Sequence, residues 1–298
     1  MTLEVELKLA INAPEQVPTE AMLLACWQPL LAKPVTKQTE KQLFNAYFET
    51  ADQWFRQHDC GLRTRLKSGQ YEQTIKLAGQ QQGAAHIRPE YNQPCQSVVP
   101  VLADFPSEIW PQGTDVVALQ QQLVELFRTD FLRQAYILQL HDGSIVEAVL
   151  DLGTVVGGGT EAPICELELE LQQGNVDALF ALARTMVERL PLSLGFQSKA
   201  ERGYRLAQQQ PLTWLNPEKD ADFKLWLRAL SQNLLLQQLQ TSAEQQAALQ
   251  AMWLQFRALL ASRQVPPALI ERALQVDIAI AGEFQVWLLD FSAWLLEE

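Results

Sequence analysis

Residues 3–11 read Leu-Glu-Val-Glu-Leu-Lys-Leu-Ala-Ile, and residues 164–171 read Ile-Cys-Glu-Leu-Glu-Leu-Glu-Leu. Both stretches alternate with a period of two, the side-chain period of a β-strand. In the first, Val5, Leu7 and Leu9 share one face and Glu4, Glu6 and Lys8 the other. In the second, Glu166, Glu168 and Glu170 stand opposite Cys165, Leu167, Leu169 and Leu171. A half-buried sheet ordinarily carries mixed polar residues on its wet face. Here the polar faces carry blocks of one sign, and like charges two residues apart on one strand repel. Each block therefore needs a partner from elsewhere.

Working outward, Gly61 to Leu66 repeats the pattern with Arg63 and Arg65 on one face, and Glu72, Thr74 and Lys76 share a face in the following segment. Lys67-Ser68-Gly69 between them reads as a hairpin turn, and His141-Asp142-Gly143 as another. Further strands are expected at Phe44 to Thr50, His86 to Asn92, Phe131 to Leu140, Ser144 to Leu152 and Ile164 to Leu171, making about eight. The simplest geometry that uses all the charged faces is an α+β fold around a closed antiparallel eight-stranded β-barrel. Its charged side chains would point inward and its apolar ones outward, under flanking helices expected at Thr19 to Leu31, Asp115 to Arg128 and Val176 to Leu190. Asn175 is a plausible N-cap for the last. From Gln208 strand patterning stops. Residues 208–217 read as a linker after a first domain at 1–207, and 218–298 as a small all-helical domain with helices near 219–240, 242–263 and 267–296.

The chain has 298 residues, 23 Lys and Arg against 35 Asp and Glu, and a net charge of −12. That balance argues against nonspecific binding to nucleic acid or to an anionic membrane. An anionic substrate requires the basic residues to be gathered in one place. No apolar run is long enough to span a bilayer, and Met1 leads directly into the first alternating stretch, so a soluble cytoplasmic protein is expected. Cys26, Cys60, Cys95 and Cys165 lack metal-ligand spacing and read as reduced thiols. His58, His86 and His141 are isolated in sequence and fall outside the charged positions, and no catalytic role is expected of them. The tryptophans, including Trp214, Trp226, Trp253, Trp287 and Trp294, lie mostly in the helical region at core-packing spacings.

A lumen with arginines and lysines on one side suits phosphoryl oxygens, and clustered carboxylates suit a hard divalent cation. Glu4-Val5-Glu6-Leu7-Lys8 resembles the ExExK signature of the CYTH, or triphosphate tunnel metalloenzyme, family. Supporting matches follow at 45–50 (NAYFET), 61–66 (GLRTRL), 74–79 (TIKLAG), 88–92 (RPEYN), 164–171 (ICELELEL) and 198–207 (SKAERGYRLA), most similar to the bacterial inorganic triphosphatase branch. The resemblance implies metal-dependent hydrolysis of inorganic triphosphate with Mg²⁺ or Mn²⁺ as cofactor. Relatives act on thiamine triphosphate or nucleoside triphosphates or cyclise ATP, and a polyphosphate-binding scaffold without turnover is the non-enzymatic alternative.

By position, the resemblance assigns metal binding to Glu4, Glu6, Glu90, Asp151, Glu166, Glu168 and Glu170. It assigns phosphate binding to Lys8, Arg63, Arg65, Lys76, Arg133, Lys199 and Arg202. Lys8 is also a candidate general base with a lowered pKa, with Tyr47 as its partner. The helical region stands where this branch carries a CHAD domain, a helical module with basic, histidine-containing surfaces thought to bind polyphosphate. After Ala207 this sequence has no histidine and sets six basic residues against ten acidic ones. It reads as a short, degenerate CHAD-like piece with a structural role or a protein contact.

Overall fold

The computed structural model describes residues 2–35, 37–82, 84–240, 242–278 and 281–297. Its strands are β1 (Thr2–Ile11), β2 (Lys37–Glu49), β3 (Gly61–Lys67), β4 (Gln70–Lys76), β5 (Gln80–Gln82), β6 (Ala85–Cys95), β7 (Val124–Gln139), β8 (Ile145–Gly157), β9 (Thr160–Gln173) and β10 (Leu192–Leu194). Its helices are α1 (Glu20–Trp27), α2 (Trp54–Gln57), α3 (Val116–Gln121), α4 (Asp177–Arg189), α5 (Lys199–Ala207), α6 (Phe223–Gln240), α7 (Ala243–Ser262), α8 (Pro267–Gln275) and α9 (Ala281–Glu297).

Eight strands close in the order β1-β9-β8-β7-β2-β3-β4-β6, with β6 pairing back to β1. All these pairings are antiparallel. The short β10 and β5 add to the edges of β1 and β6. Because directly opposed residues face the same side of a sheet, the register carries one set around the ring. Glu4, Glu6 and Lys8 on β1 share the lumen with Glu166, Glu168 and Glu170 on β9 and with Arg63 and Arg65 on β3. Leu7, Leu9, Leu167 and Leu169 face outward and are fully buried beneath α4 and the C-terminal helices.

The hairpins form where the turn chemistry says they should. Ser68 and Gly69 both take positive φ between Lys67 and Gln70, as a type I′ turn requires. Gly143 does the same after Asp142, whose carboxylate accepts from the Ser144 N–H.

Three expectations are corrected. The helix expected at Asp115 to Arg128 stops at Gln121, because from Val124 the alternation Val-Glu-Leu-Phe-Arg feeds β7, which pairs with the full length of β2. The third C-terminal helix is two: Val276 adopts an extended backbone and its carbonyl accepts from the Trp253 indole, ending α8. Asn175 does not occupy the N-cap of α4, which is Val176; its side-chain oxygen instead accepts from the Asp177 N–H in the first turn.

The C-terminal helices share one apolar core with the barrel, running from Leu7 and Leu9 through Leu179 and Met186 of α4 to Trp226, Phe256, Trp287 and Phe291. Two barrel donors are satisfied from α9. The Leu194 N–H donates to Gln285 at 2.7 Å and the Ala84 N–H to Ser292 at 3.0 Å. Among the described residues no helix is long and apolar enough to cross a membrane.

Candidate active site in the barrel lumen

The lumen is a cavity of about 830 Å³ lined by twelve Lys and Arg and nine Asp and Glu. More than half of the protein's basic residues gather there, in a chain whose net charge is −12. Low-dielectric walls focus such a charge excess onto an entering anion.

The cations differ in how they are held. Lys8 sits 2.7 Å from Glu6 and 2.6 Å from Glu168. Those carboxylates, with Glu166, hold the ammonium charged well above the usual lysine range, although burial opposes this. A lowered Lys8 pKa is therefore corrected: the residue stands among carboxylates rather than among cations. Arg133 makes a forked contact with Asp151 (2.7 and 2.6 Å) and reaches Glu168 at 2.8 Å. Lys76 bridges Glu4 and Glu90 at 2.5 and 3.1 Å, and Arg63 lies 3.8 Å from Glu90. Tyr47, expected as the partner of Lys8, instead hydrogen-bonds Arg63 and stacks on Phe127 with centroids 4.3 Å apart.

Arg65 is different. Its Nε donates to the Asn45 side chain at 2.7 Å, and no carboxylate among the described residues lies within ion-pair distance. Burial, with Arg63 and Arg133 nearby, pushes its pKa down to about 9. A guanidinium destabilised in this way gains more than its neighbours from pairing with an anion.

The carboxylates also divide. Asp151 is fully buried and pairs with Arg133 and Lys199; Glu166 pairs with Lys199 and Arg202. Neither Asp151, Glu166 nor Arg202 lines the cavity. The oxygens of Asp151, Glu166 and Glu168 lie within 4.8 Å of one another, a spacing compatible with a metal ion. The cation at their centre is Lys199, whose Nζ is 2.7, 2.5 and 3.1 Å from the three. In this structure the carboxylates of this candidate metal cluster also anchor Lys199 and Arg133. Glu90, held down to about 2 despite its burial by Lys76 and Arg63, serves the same kind of role.

Glu170 carries the opposite signature. Burial, then the nearby Glu4, Glu147 and Glu6, push it up to about 7, and its one hydrogen bond comes from Gln172. Glu4 is also raised, chiefly by burial. Glu147, Glu170 and Glu6 are directly opposed across β8, β9 and β1. Glu6 is paired with Lys8 and Glu170 is under-compensated, and the three carboxylates in one row offer the hard oxygen donors that suit a divalent cation. Glu147 was not among the expected residues. Its signal was present in the phase it shares with Asp151 four residues later on the same strand face.

Lys199 enters from α5. Ser198 caps that helix, accepting from the Glu201 N–H while Glu201 accepts from the Ser198 N–H, a capping box. Gly203 packs face-on against Phe127, where a Cβ would stand 2.1 Å from ring carbons. The rim is completed from the C-terminal region by Lys224 and Arg228 of α6, the latter paired with Glu201.

The CYTH domain family model matches residues 2–204. The chain belongs to the CYTH family. An inorganic triphosphatase from Haemophilus influenzae is 33% identical over 226 residues, 74% of this chain and 60% of that protein, so this CYTH chain spans less than two thirds of that relative's length. Among solved structures, HpAC1 from Hippeastrum, a candidate adenylyl cyclase described as having a dominant triphosphatase activity, aligns at 15% identity over 70% of this chain and 97% of its own (TM-score 0.45). A candidate adenylate cyclase from Bacillus halodurans aligns at 20% identity over 68% and 98% (TM-score 0.40). The CYTH family implies a divalent metal, and two sets of hard oxygen donors fit one: the row Glu6, Glu147 and Glu170, and the buried cluster Asp151, Glu166 and Glu168.

Proposed function

We propose that this tunnel hydrolyses inorganic triphosphate to pyrophosphate and phosphate, using Mg²⁺ or Mn²⁺. The observation that carries the reading is the two-sided lumen, where among the described residues Arg65 lacks a carboxylate partner on one side and Glu170 lacks a cation on the other. The triphosphatase name of the Haemophilus relative supports the choice of substrate.

Glu4, Glu6, Glu147 and Glu170 would hold the ion, with Glu168 beside them. When bound, the ion would neutralise non-bridging oxygens and orient a water for attack on the terminal phosphoryl. The chain's own groups do the positioning. Arg63 and Arg65 stand about 7 Å apart along β3, a spacing for neighbouring phosphoryl groups. Lys8, Lys76, Arg133 and Lys199 approach from other elements, each already oriented by carboxylates. That preorganisation limits the reorganisation needed when charge develops. Asp151, Glu166 and Glu90 keep these cations in place, and Arg202 secures Glu166 from behind the wall.

The test is a phosphate-release assay comparing inorganic triphosphate, ATP, thiamine triphosphate and pyrophosphate, each with Mg²⁺, Mn²⁺ or chelator. Triphosphate turnover that vanishes in chelator is the expected result. Faster turnover of ATP or thiamine triphosphate, or turnover without metal, would overturn the assignment.

A further inference from the structure

His86 does not line the cavity itself but stands in the barrel wall in the inward-facing phase, and neither the ion pairs nor the proposed mechanism uses it. On β6 it keeps the phase of Arg88 and Glu90, and the register sets it directly opposite Glu6. The lateral row Glu147, Glu170, Glu6, His86 therefore runs unbroken across β8, β9, β1 and β6 at one level of the barrel. Directly opposed residues in an antiparallel sheet have Cβ atoms roughly 5 Å apart, close enough for neighbouring side chains to share one ion.

The imidazole is 2% exposed, and neither Nδ1 nor Nε2 has a hydrogen-bond partner among the described residues. Leaving buried polar nitrogens unsatisfied is costly, on the order of 1–3 kcal/mol each, and natural cores rarely tolerate it without a ligand-related reason. A purely structural residue at this position would be better served by leucine. The charged groups facing the ring are Lys8, Glu6, Arg88 and Glu168, so it sits among the groups that flank the carboxylate arc.

We propose that His86 supplies a nitrogen ligand, beside Glu6, to the divalent ion of this tunnel. The inference rests on the reading that the Glu6, Glu147 and Glu170 arc holds that ion. Its consequence is selectivity. An all-oxygen site favours Mg²⁺ or Ca²⁺, whereas an imidazole in the set shifts preference toward Mn²⁺ and the later first-row ions.

The experiment is pulsed EPR on the full chain with one equivalent of Mn²⁺ and no substrate, together with calorimetric Mn²⁺ and Mg²⁺ titrations of wild type and His86→Leu. The expected result is a directly bound ¹⁴N coupling in the wild type that is lost in His86→Leu. Mn²⁺ affinity should fall at least tenfold and Mg²⁺ affinity less, as for loss of a ligand-level contact. Stoichiometric Mn²⁺ binding without ¹⁴N coupling, weakened by Glu170→Gln, would overturn the histidine assignment while leaving the carboxylate site standing. No Mn²⁺ binding at all would overturn both. The wild-type spectrum decides the matter even if His86→Leu folds poorly, and removal of an unsatisfied polar group should leave the variant at least as stable as wild type.

Discussion

Arg63 and Arg65 are two residues apart on one strand face, yet their surroundings set different expectations for their loss. Arg63 contacts Glu90 and Tyr47, so its removal takes a partner from a phenol and leaves Glu90 to Lys76 alone among the cations of the described residues. Among the described residues Arg65 donates to Asn45 and is crowded by Arg63 and Arg133. Arg65→Ala should lower kcat/KM for triphosphate by a factor of about ten to a few hundred, the loss of a charge-assisted contact of roughly 1.5–3 kcal/mol. The melting temperature in chelator should not fall, because a repulsive buried charge is gone. A lower Tm with normal turnover would make Arg65 a structural cation. Glu170 gives a pH signature. Its folded pKa, near 7, lies above its ordinary 4.5, so the folded state binds the extra proton and stability falls as pH rises from about 4.5 to 7. The loss is at most on the order of 3 kcal/mol. His86, pushed down to about 3 by burial, works the other way, adding stability as pH rises from about 3 to 6.5. The two offset each other in the wild type below pH 6.5. Thermal melts in chelator should show a steeper fall between pH 5 and 7 in His86→Leu, and that fall should disappear in His86→Leu/Glu170→Gln. Legibility at this scale followed pattern: paired charges in strand phase are visible, whereas a single Glu147 or His86 acquires meaning only from partners on strands distant in sequence.

At the scale of elements, strands were readable wherever one face was apolar and the other charged, which is why β1, β3 and β9 were placed. The start of β7 was lost to a helical reading because Val124, Leu126 and Phe127 follow directly on the short helix α3 without a Gly or Pro break. The role of α5 was not legible, since its amphipathic pattern says nothing about which barrel face it meets. That face is fixed by Gly203 against Phe127. Gly203→Ala places a methyl into a buried ring and should cost about 1–3 kcal/mol as overpacking, despite alanine's better helix propensity. Because Lys199 sits one turn earlier on the same helix, KM for triphosphate should rise along with the stability loss. A variant that melts lower but retains wild-type KM would show that Lys199 is positioned by its carboxylates alone.

For the whole molecule, the glutamine- and proline-rich stretch at 208–217 reads in sequence as a linker between two domains. The packing argues for a single cooperative body. Trp226, Phe256, Trp287 and Phe291 belong to the same buried cluster as Leu7 and Leu9 of the strand that carries Glu4, Glu6 and Lys8. Asp290 of α9 pairs with Arg184 of α4 at 2.6 Å as well as with Arg272, and α9 satisfies the Ala84 and Leu194 amides. Cutting near residue 212 would expose that shared face and leave two buried donors without partners, each costing on the order of 1–3 kcal/mol, before counting the lost apolar burial. Sequence could not reveal this, because an apolar helix face looks the same whether it packs on its own neighbours or on a barrel. Differential scanning calorimetry of the full chain should give one transition whose calorimetric and van't Hoff enthalpies agree. A chain ending at 212 should be insoluble or melt well below the full-length protein. Two resolved transitions, the barrel melting at the same temperature with and without the tail, would instead establish two independent domains and restrict the contribution of α6 to Lys224 and Arg228 at the tunnel rim.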